Sequence, residues 1–166
     1  MRHLKKMNKR AEKLINELKL IPHPEGGYYR ETYCSESKLI SPVNGEIRNS
    51  LTDIYFLLVS GQVSRFHRVI HDEIWHFYEG DPLELIEIQS DSFGMSKIIL
   101  GDNAIVKYKH CIKGGNWQAA YSAGEYSLVG CTVFPGFDFS DFEFLKEDAD
   151  AQTIFLEKNP KLSNLI

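Results

Sequence analysis

The chain has 166 residues, 43% of them hydrophobic and 25% charged, a composition that predicts a single soluble domain spanning residues 1–166. Its net charge of −4 gives no support for a nucleic-acid partner, and no apolar run approaches the roughly 20 residues that cross a membrane. The 3 cysteines are widely spaced and form no C-x-x-C pair, which argues against disulfides and favours a reducing, cytoplasmic location.

The N-terminal segment predicts an amphipathic helix over residues 8–19. Apolar residues recur at helical spacing from Leu4 to Leu18, and the segment lacks the apolar core of a secretory signal. The basic residues then form the solvated face of this helix rather than a nucleic-acid or membrane patch. They are Arg2, Lys5, Lys6, Lys9, Arg10 and Lys13.

Short strands without intervening helices are predicted over residues 26–145. Residues His23–Gly27, with one proline and two glycines, interrupt regular structure after the helix. The strands follow them and cover Tyr28–Cys34, Leu51–Val59, two strands within 61–80, Leu83–Gln89, Met95–Leu100, Ile105–Ile112, Trp117–Ser122 and Tyr126–Phe134. This pattern indicates an all-β sandwich or barrel. The tail from Phe144 onward predicts one or two short packing helices.

The segment GQVSRFHRVIHDEIWHFYEG, residues 61–80, contains the strongest functional pattern. Its strand period places Glu73, Trp75 and Phe77 on one face. A carboxylate among aromatic rings is costly unless a metal, a proton or a partner compensates it. Glu73 is therefore a candidate functional residue, with an ion pair to Arg65, Arg68 or Arg30 as the structural alternative. His67 is the other candidate, because an imidazole can act as a base or a ligand near neutral pH.

The spacing of Gly61, His67, Glu73 and Gly80 resembles the first motif of the cupin superfamily, with Val69 at the position of the second histidine. The counterpart of the second motif is residues 113–118, where Gln118 replaces the last histidine. Cupins usually hold a metal with three histidines and one glutamate. Because two of these positions differ, no cofactor is expected, and any divalent metal would be weakly bound by His67, Glu73 and Gln118.

Three longer strings resemble a cupin subfamily of unknown function: IPHPEGGYYRETY, DEIWHFYEGDPLELIEI and SLVGCTVFPGFDFSDFEF. The resemblance implies a double-stranded β-helix, or jelly-roll barrel, with an N-terminal helix and short C-terminal helices. The nearest characterised relatives in shape are dTDP-sugar epimerases, which use a barrel histidine as base without a metal. Fold alone does not determine the reaction.

A small-molecule pocket is expected inside the barrel, with Trp75, Phe77, Trp117 and Gln118 around His67 and Glu73 by motif register. On the strand after the two glycines, either Tyr28, Arg30 and Thr32 or Tyr29 and Glu31 point inward. Arg30 or Arg65 would bind an anionic group of a ligand.

The leading hypothesis is a sugar-type isomerase or epimerase for a small polar or anionic molecule. His67 is the base, a tyrosine such as Tyr121 or Tyr126 the acid, and Arg30 or Arg65 holds the enolate. A non-catalytic binding module using the same pocket is the first alternative. The second is a metal-dependent cupin such as a dioxygenase, with His67, Glu73 and Gln118 around Fe, Mn, Ni or Zn.

The remaining polar candidates have structural interpretations. His71 and His76 are expected to lie away from Glu73, and Asp138 and Asp141 to be solvated or to cap a turn. A homodimer is also expected. Leu51–Val59 is apolar on both alternations, so its outer side requires another sheet, a helix or a second subunit.

Overall fold

The computed structural model describes residues 7–102 and 105–166. Its architecture is mainly β, as predicted. Thirteen strands occur within the described ranges: β1 (Ile21–Pro22), β2 (Tyr28–Cys34), β3 (Lys38–Ile40), β4 (Ile47–Asn49), β5 (Thr52–Val59), β6 (Ser64–Val69), β7 (Asp72–Gly80), β8 (Leu83–Ile88), β9 (Met95–Leu100), β10 (Lys109–Ile112), β11 (Trp117–Ser122), β12 (Tyr126–Phe134) and β13 (Phe142–Phe144).

Two antiparallel sheets form the barrel. The six-stranded sheet has the order β1-β2-β5-β12-β7-β10, and the five-stranded sheet has the order β13-β6-β11-β8-β9. Strand β12 lies between β5 and β7, although it is the last long strand of the chain. This insertion of a late strand between early ones is the jelly-roll topology, so the predicted all-β barrel is confirmed.

The inner face of each long strand changes character along its length. On β5, Thr52 and Ile54 line a cavity, whereas Phe56 and Leu58 lie further along the same face in the core. The core also takes side chains from the other sheet, including Leu83 and Leu85. One end of the barrel is therefore filled with apolar side chains, and the other end contains a cavity.

The outer side of β5 is covered by helix α1 (Lys9–Glu17). Leu57 and Val59 pack there against Ala11 and Leu14. Because a helix covers this side, the apolar strand needs no second subunit for burial, and the homodimer stays an untested prediction. Asn8 caps the helix by accepting from the backbone N–H groups of its first turn.

Helix α1 is slightly shorter than the predicted 8–19. Its described basic residues Lys9, Arg10 and Lys13 are exposed, as the amphipathic pattern predicted. Arg10 also donates to the Glu79 carboxylate at 2.7 Å, which joins the helix to the six-stranded sheet. The other basic residues named above, Arg2, Lys5 and Lys6, lie outside the described residues.

The C-terminal tail forms helix α2 (Ala149–Lys158) and two 3-10 segments, Leu145–Glu147 and Pro160–Leu165. Phe155 and Leu165 pack with Phe66 and Trp117 on the outer side of the five-stranded sheet. The prediction of short packing helices is confirmed. None of the described helices is long and apolar enough to cross a membrane.

Some segments differ from the strand prediction. The strand expected at Ile105–Ile112 starts at Lys109, because only Lys109–Ile112 pair with β7. The short strands β3, β4 and β13 were not predicted. Of these, β13 pairs with the edge strand β6 over three residues, which is too short for a two-residue alternation to show in the sequence.

Candidate functional site

A cavity of about 300 Å³ opens at the end of the barrel where β6 leads into β7. It mixes titratable groups with aromatic rings, which is the usual composition of a small-molecule site. Its lining residues are His23, Glu25, Tyr29, Glu31, Thr52, Ile54, His67, Val69, Glu73, Cys131, Phe137, Phe139 and Phe142. His67 and Glu73, the two residues predicted from motif register, are both among them.

His67 is held by contacts on both ring nitrogens. The Nδ1 atom lies 2.7 Å from the Arg65 carbonyl oxygen, so Nδ1 carries a hydrogen and donates it. The Nε2 atom lies 3.2 Å from Oε2 of Glu25. The ring also stacks on Phe142, with centroids 5.1 Å apart. These contacts direct the Nε2 lone pair of neutral His67 towards a carboxyl group.

Glu25 reaches His67 through the turn that precedes β2. Gly26 has φ 112°, and a Cβ at this position would lie 2.0 Å from the Val63 carbonyl oxygen. The backbone can therefore lie flat against the start of β6, where the Arg65 N–H donates to the Glu25 carbonyl at 3.0 Å. The Ser64 hydroxyl donates to Oε1 of Glu25 at 2.9 Å.

Burial shifts the protonation of this pair towards its neutral form. It raises the pKa of Glu25, an effect opposed by His23 and by the Ser64 hydrogen bond. Burial lowers the pKa of His67, opposed by the charge of Glu73 and by the Arg65 carbonyl. Both shifts favour a proton on Glu25 over a proton on His67, whose Nε2 atom lies 3.2 Å away.

Two successive hydrogen bonds orient the Glu73 carboxyl group. The Gln118 amide donates to its Oε2 atom at 2.5 Å, and the Trp75 indole N–H donates to the Gln118 oxygen at 2.8 Å. Burial raises the pKa of Glu73, with the charge of His67 lowering it and that of Glu25 raising it. The cavity therefore contains a second carboxyl group that favours its protonated form.

The remaining walls of the cavity are aromatic. Phe137, Phe139 and Phe142 contact one another edge to face, with centroids 5.0 to 6.2 Å apart. Opposite them on β2, Tyr29 packs edge to face on His23 at 4.5 Å. Such rings can stack on the apolar face of a sugar or a similar ring.

Both arginines expected at the pocket lie outside it. On β2 the inward set is Tyr29 and Glu31, so Arg30 is exposed, and its guanidinium donates to the Leu18 carbonyl. Arg65 is also exposed and contributes only backbone atoms. The prediction that either one binds an anionic ligand is wrong, because strand parity turns both side chains outward.

Three predicted ligand-binding aromatics belong to packed cores instead. Trp75 is buried against Phe56. Phe77, two residues further along β7, packs on the same cluster. Trp117 lies on the outer side of its sheet, under the guanidinium of Arg68. Trp75 and Phe77 do share a face with Glu73, but they occupy the apolar layer beyond it.

Gln118 lies behind Glu73 rather than on the cavity wall. It pairs with His67 across β6 and β11, so its motif register is correct. Its oxygen already accepts from Trp75, so the amide presents its N–H to Glu73. This orientation contradicts a metal-ligand role. Gln118 orients the carboxyl group instead.

The two tyrosines considered as the acid are also elsewhere. Tyr121 donates to Glu84, and Tyr126 donates to Glu79 near helix α1. The pocket tyrosine is Tyr29. The structure adds Glu25, His23, Thr52 and Cys131 to the site, and none of these belongs to a cupin motif position.

The family's usual metal does not fit the residues present. Of the four usual ligand positions, one is Val69 and another is Gln118 with its N–H turned inward. No group of three His, Cys, Asp or Glu side chains arranged for a metal was found in residues 7–102 and 105–166.

The barrel topology is that of a cupin, and imidazole and carboxyl groups line the cavity at its open end. The chain belongs to the family described as "Cupin superfamily (DUF985)", whose model matches residues 12–145. It is similar to the uncharacterized protein YML079W of Saccharomyces cerevisiae, with 29% identity over 93% of this chain and 85% of that protein.

Solved structures extend the likeness. Protein SO0799 from Shewanella oneidensis shares 34% identity and a TM-score of 0.81, over 93% of this chain and 96% of the other. Oxalate decarboxylase from Bacillus subtilis has a TM-score of 0.58 at 14% identity, over 87% of this chain and 36% of the other. At that identity the likeness shows the cupin fold and nothing about the reaction.

Proposed function

We propose that this cupin binds a small polar molecule in the barrel and isomerises it by moving a proton next to a carbonyl group, as sugar isomerases and epimerases do. The observation that carries the proposal is the contact of His67 with Glu25 inside a cavity that also contains Glu73. A proton shift needs a base and an acid within reach of one substrate.

His67 is the base in this proposal. Its Nε2 atom lies 3.2 Å from the Glu25 carboxyl group, so a substrate must displace that contact before Nε2 accepts a carbon-bound proton. The carbon–hydrogen electron pair moves into the new enol double bond, and the imidazole becomes imidazolium. The charge that Glu73 acquires when it gives up its own proton stabilises that cation.

Glu73 is the acid. Because burial favours its protonated form, it can donate to the substrate carbonyl oxygen while His67 removes the proton. This leaves an enol, an imidazolium and a carboxylate. The imidazolium then gives its proton to the former carbonyl carbon, and Glu73 takes a proton from the hydroxyl oxygen on the neighbouring carbon, which becomes the new carbonyl. Gln118 and Trp75 act on this step only by orienting Glu73.

The test is exchange of the substrate proton with solvent. The protein is incubated in deuterium oxide with a panel of neutral aldoses and ketoses, and proton NMR follows the signal of the carbon next to the carbonyl. We expect exchange that both His67→Asn and Glu73→Gln abolish, while Arg30→Ala, outside the cavity, leaves it unchanged. Sugars that bind without exchange would identify a non-catalytic binding module instead.

A further inference from the structure

The charged groups around the cavity indicate whether it prefers a cationic, neutral or anionic ligand. Three carboxyl groups line it, those of Glu25, Glu31 and Glu73, and within the described ranges no lysine or arginine does. An anionic ligand would therefore meet only like charges or neutral groups. The following inference rests on the proposed function, because it concerns the ligand of the same pocket.

Glu31 differs from the other two carboxyl groups. Glu25 and Glu73 are buried, each accepts a hydrogen bond from a neutral donor, and burial favours their protonated forms. Glu31 is exposed, and its carboxylate makes no hydrogen bond or ion pair with the described residues. The negative charge at the cavity is therefore concentrated at its mouth, away from the proton-transfer groups.

An aromatic ring lies beside that charge. Tyr29 and Glu31 are two residues apart on β2 and line the same face, which places their side chains next to each other. Phe139, more than half exposed, also lines the cavity and stacks on His23, with centroids 6.5 Å apart. A carboxylate next to an aromatic face is a favourable site for an organic ammonium group, which gains both an ion pair and a cation–π contact.

We propose that the ligand is a cationic amino derivative of a sugar or polyol, whose ammonium group binds between Glu31 and the ring of Tyr29. The hydroxyl and carbonyl groups then extend inward to Glu25, His67 and Glu73. The mouth selects for charge, and the buried end carries out the chemistry.

The test compares three probes with the same ring: glucose, glucosamine and glucuronate. Calorimetric titration at about pH 6.5, below the usual pKa of α-amino groups, keeps the amine charged. An exposed ion pair and a cation–π contact together lead us to expect that glucosamine binds about tenfold more tightly than glucose. Glucuronate is expected to bind most weakly, and added salt should reduce the preference.

Glu31→Gln should reduce the affinity for glucosamine to that for glucose measured on the same variant. The matched control is Glu36→Gln, because Glu36 is an exposed glutamate that does not line the cavity. Equal affinity for glucose and glucosamine, tighter binding of glucuronate, or an unchanged preference in Glu31→Gln would overturn the inference. Deuterium exchange of neutral sugars would still support the proposed function in each of those cases. If none of the probes binds, the amino-sugar assignment is also wrong.

Discussion

Two buried histidines, His67 and His71, allow a direct comparison of similar groups in different surroundings. Their exposed fractions are 2% and 3%, and burial lowers the pKa of both. His67 lies 3.2 Å from Glu25, and His71 lies 3.8 Å from Asp141, with its Nε2 atom 2.7 Å from the Ser41 hydroxyl. By distance alone, both could act as an imidazole and carboxylate pair.

The difference lies in what else contacts the carboxylate. Asp141 accepts two hydrogen bonds from the Arg48 guanidinium, at 2.7 and 2.8 Å, so its charge is neutralised by a fixed cation. The prediction that Asp141 is solvated or capping is therefore wrong, whereas Asp138 does cap a 3-10 turn. The carboxyl groups beside His67 have only neutral donors, which leaves their protons available for chemistry.

Activity measurements test the difference between His67 and His71 most directly. His67→Asn should reduce proton exchange about 100-fold or more, the size expected for loss of a general base. His71→Asn should leave the exchange rate per folded molecule unchanged, because His71 does not line the cavity. Proton NMR in deuterium oxide measures both variants.

A loss of exchange in both variants would show that the two histidines act together. Circular dichroism on the same samples provides the control, since it separates loss of folded protein from loss of chemistry.

Replacing His71 should lower the free energy of unfolding more than replacing His67, the reverse of the order expected for activity. His71→Asn leaves the buried Ser41 hydroxyl without its ring partner, so we expect a loss of about 1–3 kcal/mol and a thermal midpoint lower by several degrees. His67→Asn should change stability by about 1 kcal/mol or less, because its ring partners are polar groups of the cavity. Thermal unfolding followed by circular dichroism decides between them. A larger fall for His67→Asn would assign the pocket histidine to the core.

A smaller effect is expected from the pH dependence of stability. The pKa of Glu73 is raised in the folded protein, so its contribution is complete below about 4.5 and is lost as pH rises through the folded value. Glu73→Gln avoids that loss, since an amide stays neutral and can still accept from Gln118. At neutral pH the variant should therefore be about 1 kcal/mol more stable than the parent, and less so near pH 4.

Glu79→Gln serves as the control of opposite sign. Arg10 lowers the pKa of Glu79, so its stabilising contribution is present at neutral pH and is lost on acidification. Urea unfolding of both variants at several pH values gives the comparison. If Glu73→Gln instead behaves like Glu79→Gln, Glu73 is held as a charged group.

The smallest expected effect is that of a chelator. Because the donor set beside His67 does not fit the family's usual metal, treatment with EDTA should leave both exchange and the thermal midpoint unchanged. Elemental analysis of protein purified without an affinity-tag metal is the matching measurement. A stoichiometric metal that Glu73→Ala removes would contradict the proton-transfer proposal.

The sequence predicts the barrel well because strand periodicity and motif spacing are local properties. It also identifies His67 and Glu73, whose side chains face the interior by parity. The alternation along a strand does not show, however, whether an inward side chain lies at the cavity or in the apolar core beyond it. Trp75 and Phe77 share the face of Glu73 but lie beyond the cavity, in the layer filled by core side chains from both sheets. Only the packing of the two sheets determines where that layer begins.

Glu25 could not have been identified in the same way. It lies in a turn, so no alternation predicts its direction, and its partners Ser64 and His67 are about 40 residues away in the chain. The one local indication is an acidic residue between a proline and two glycines. Similarly, the choice between Arg30 and Glu31 as the inward residue depended on where the β2 pairing with β5 begins, which the sequence does not show.

The close approach at Gly26 has a consequence for interpreting related sequences. The space there is so narrow that even a methyl group would push the turn away from Val63 and carry Glu25 away from His67. The cavity wall, with its aromatic rings and Glu73, would remain. A homologue with a larger residue at this position would therefore keep the cavity but lose the contact between Glu25 and His67. Under the proposed function, the residue at this one backbone position outside the cavity predicts which homologues retain the proton-transfer pair, before any assay is run.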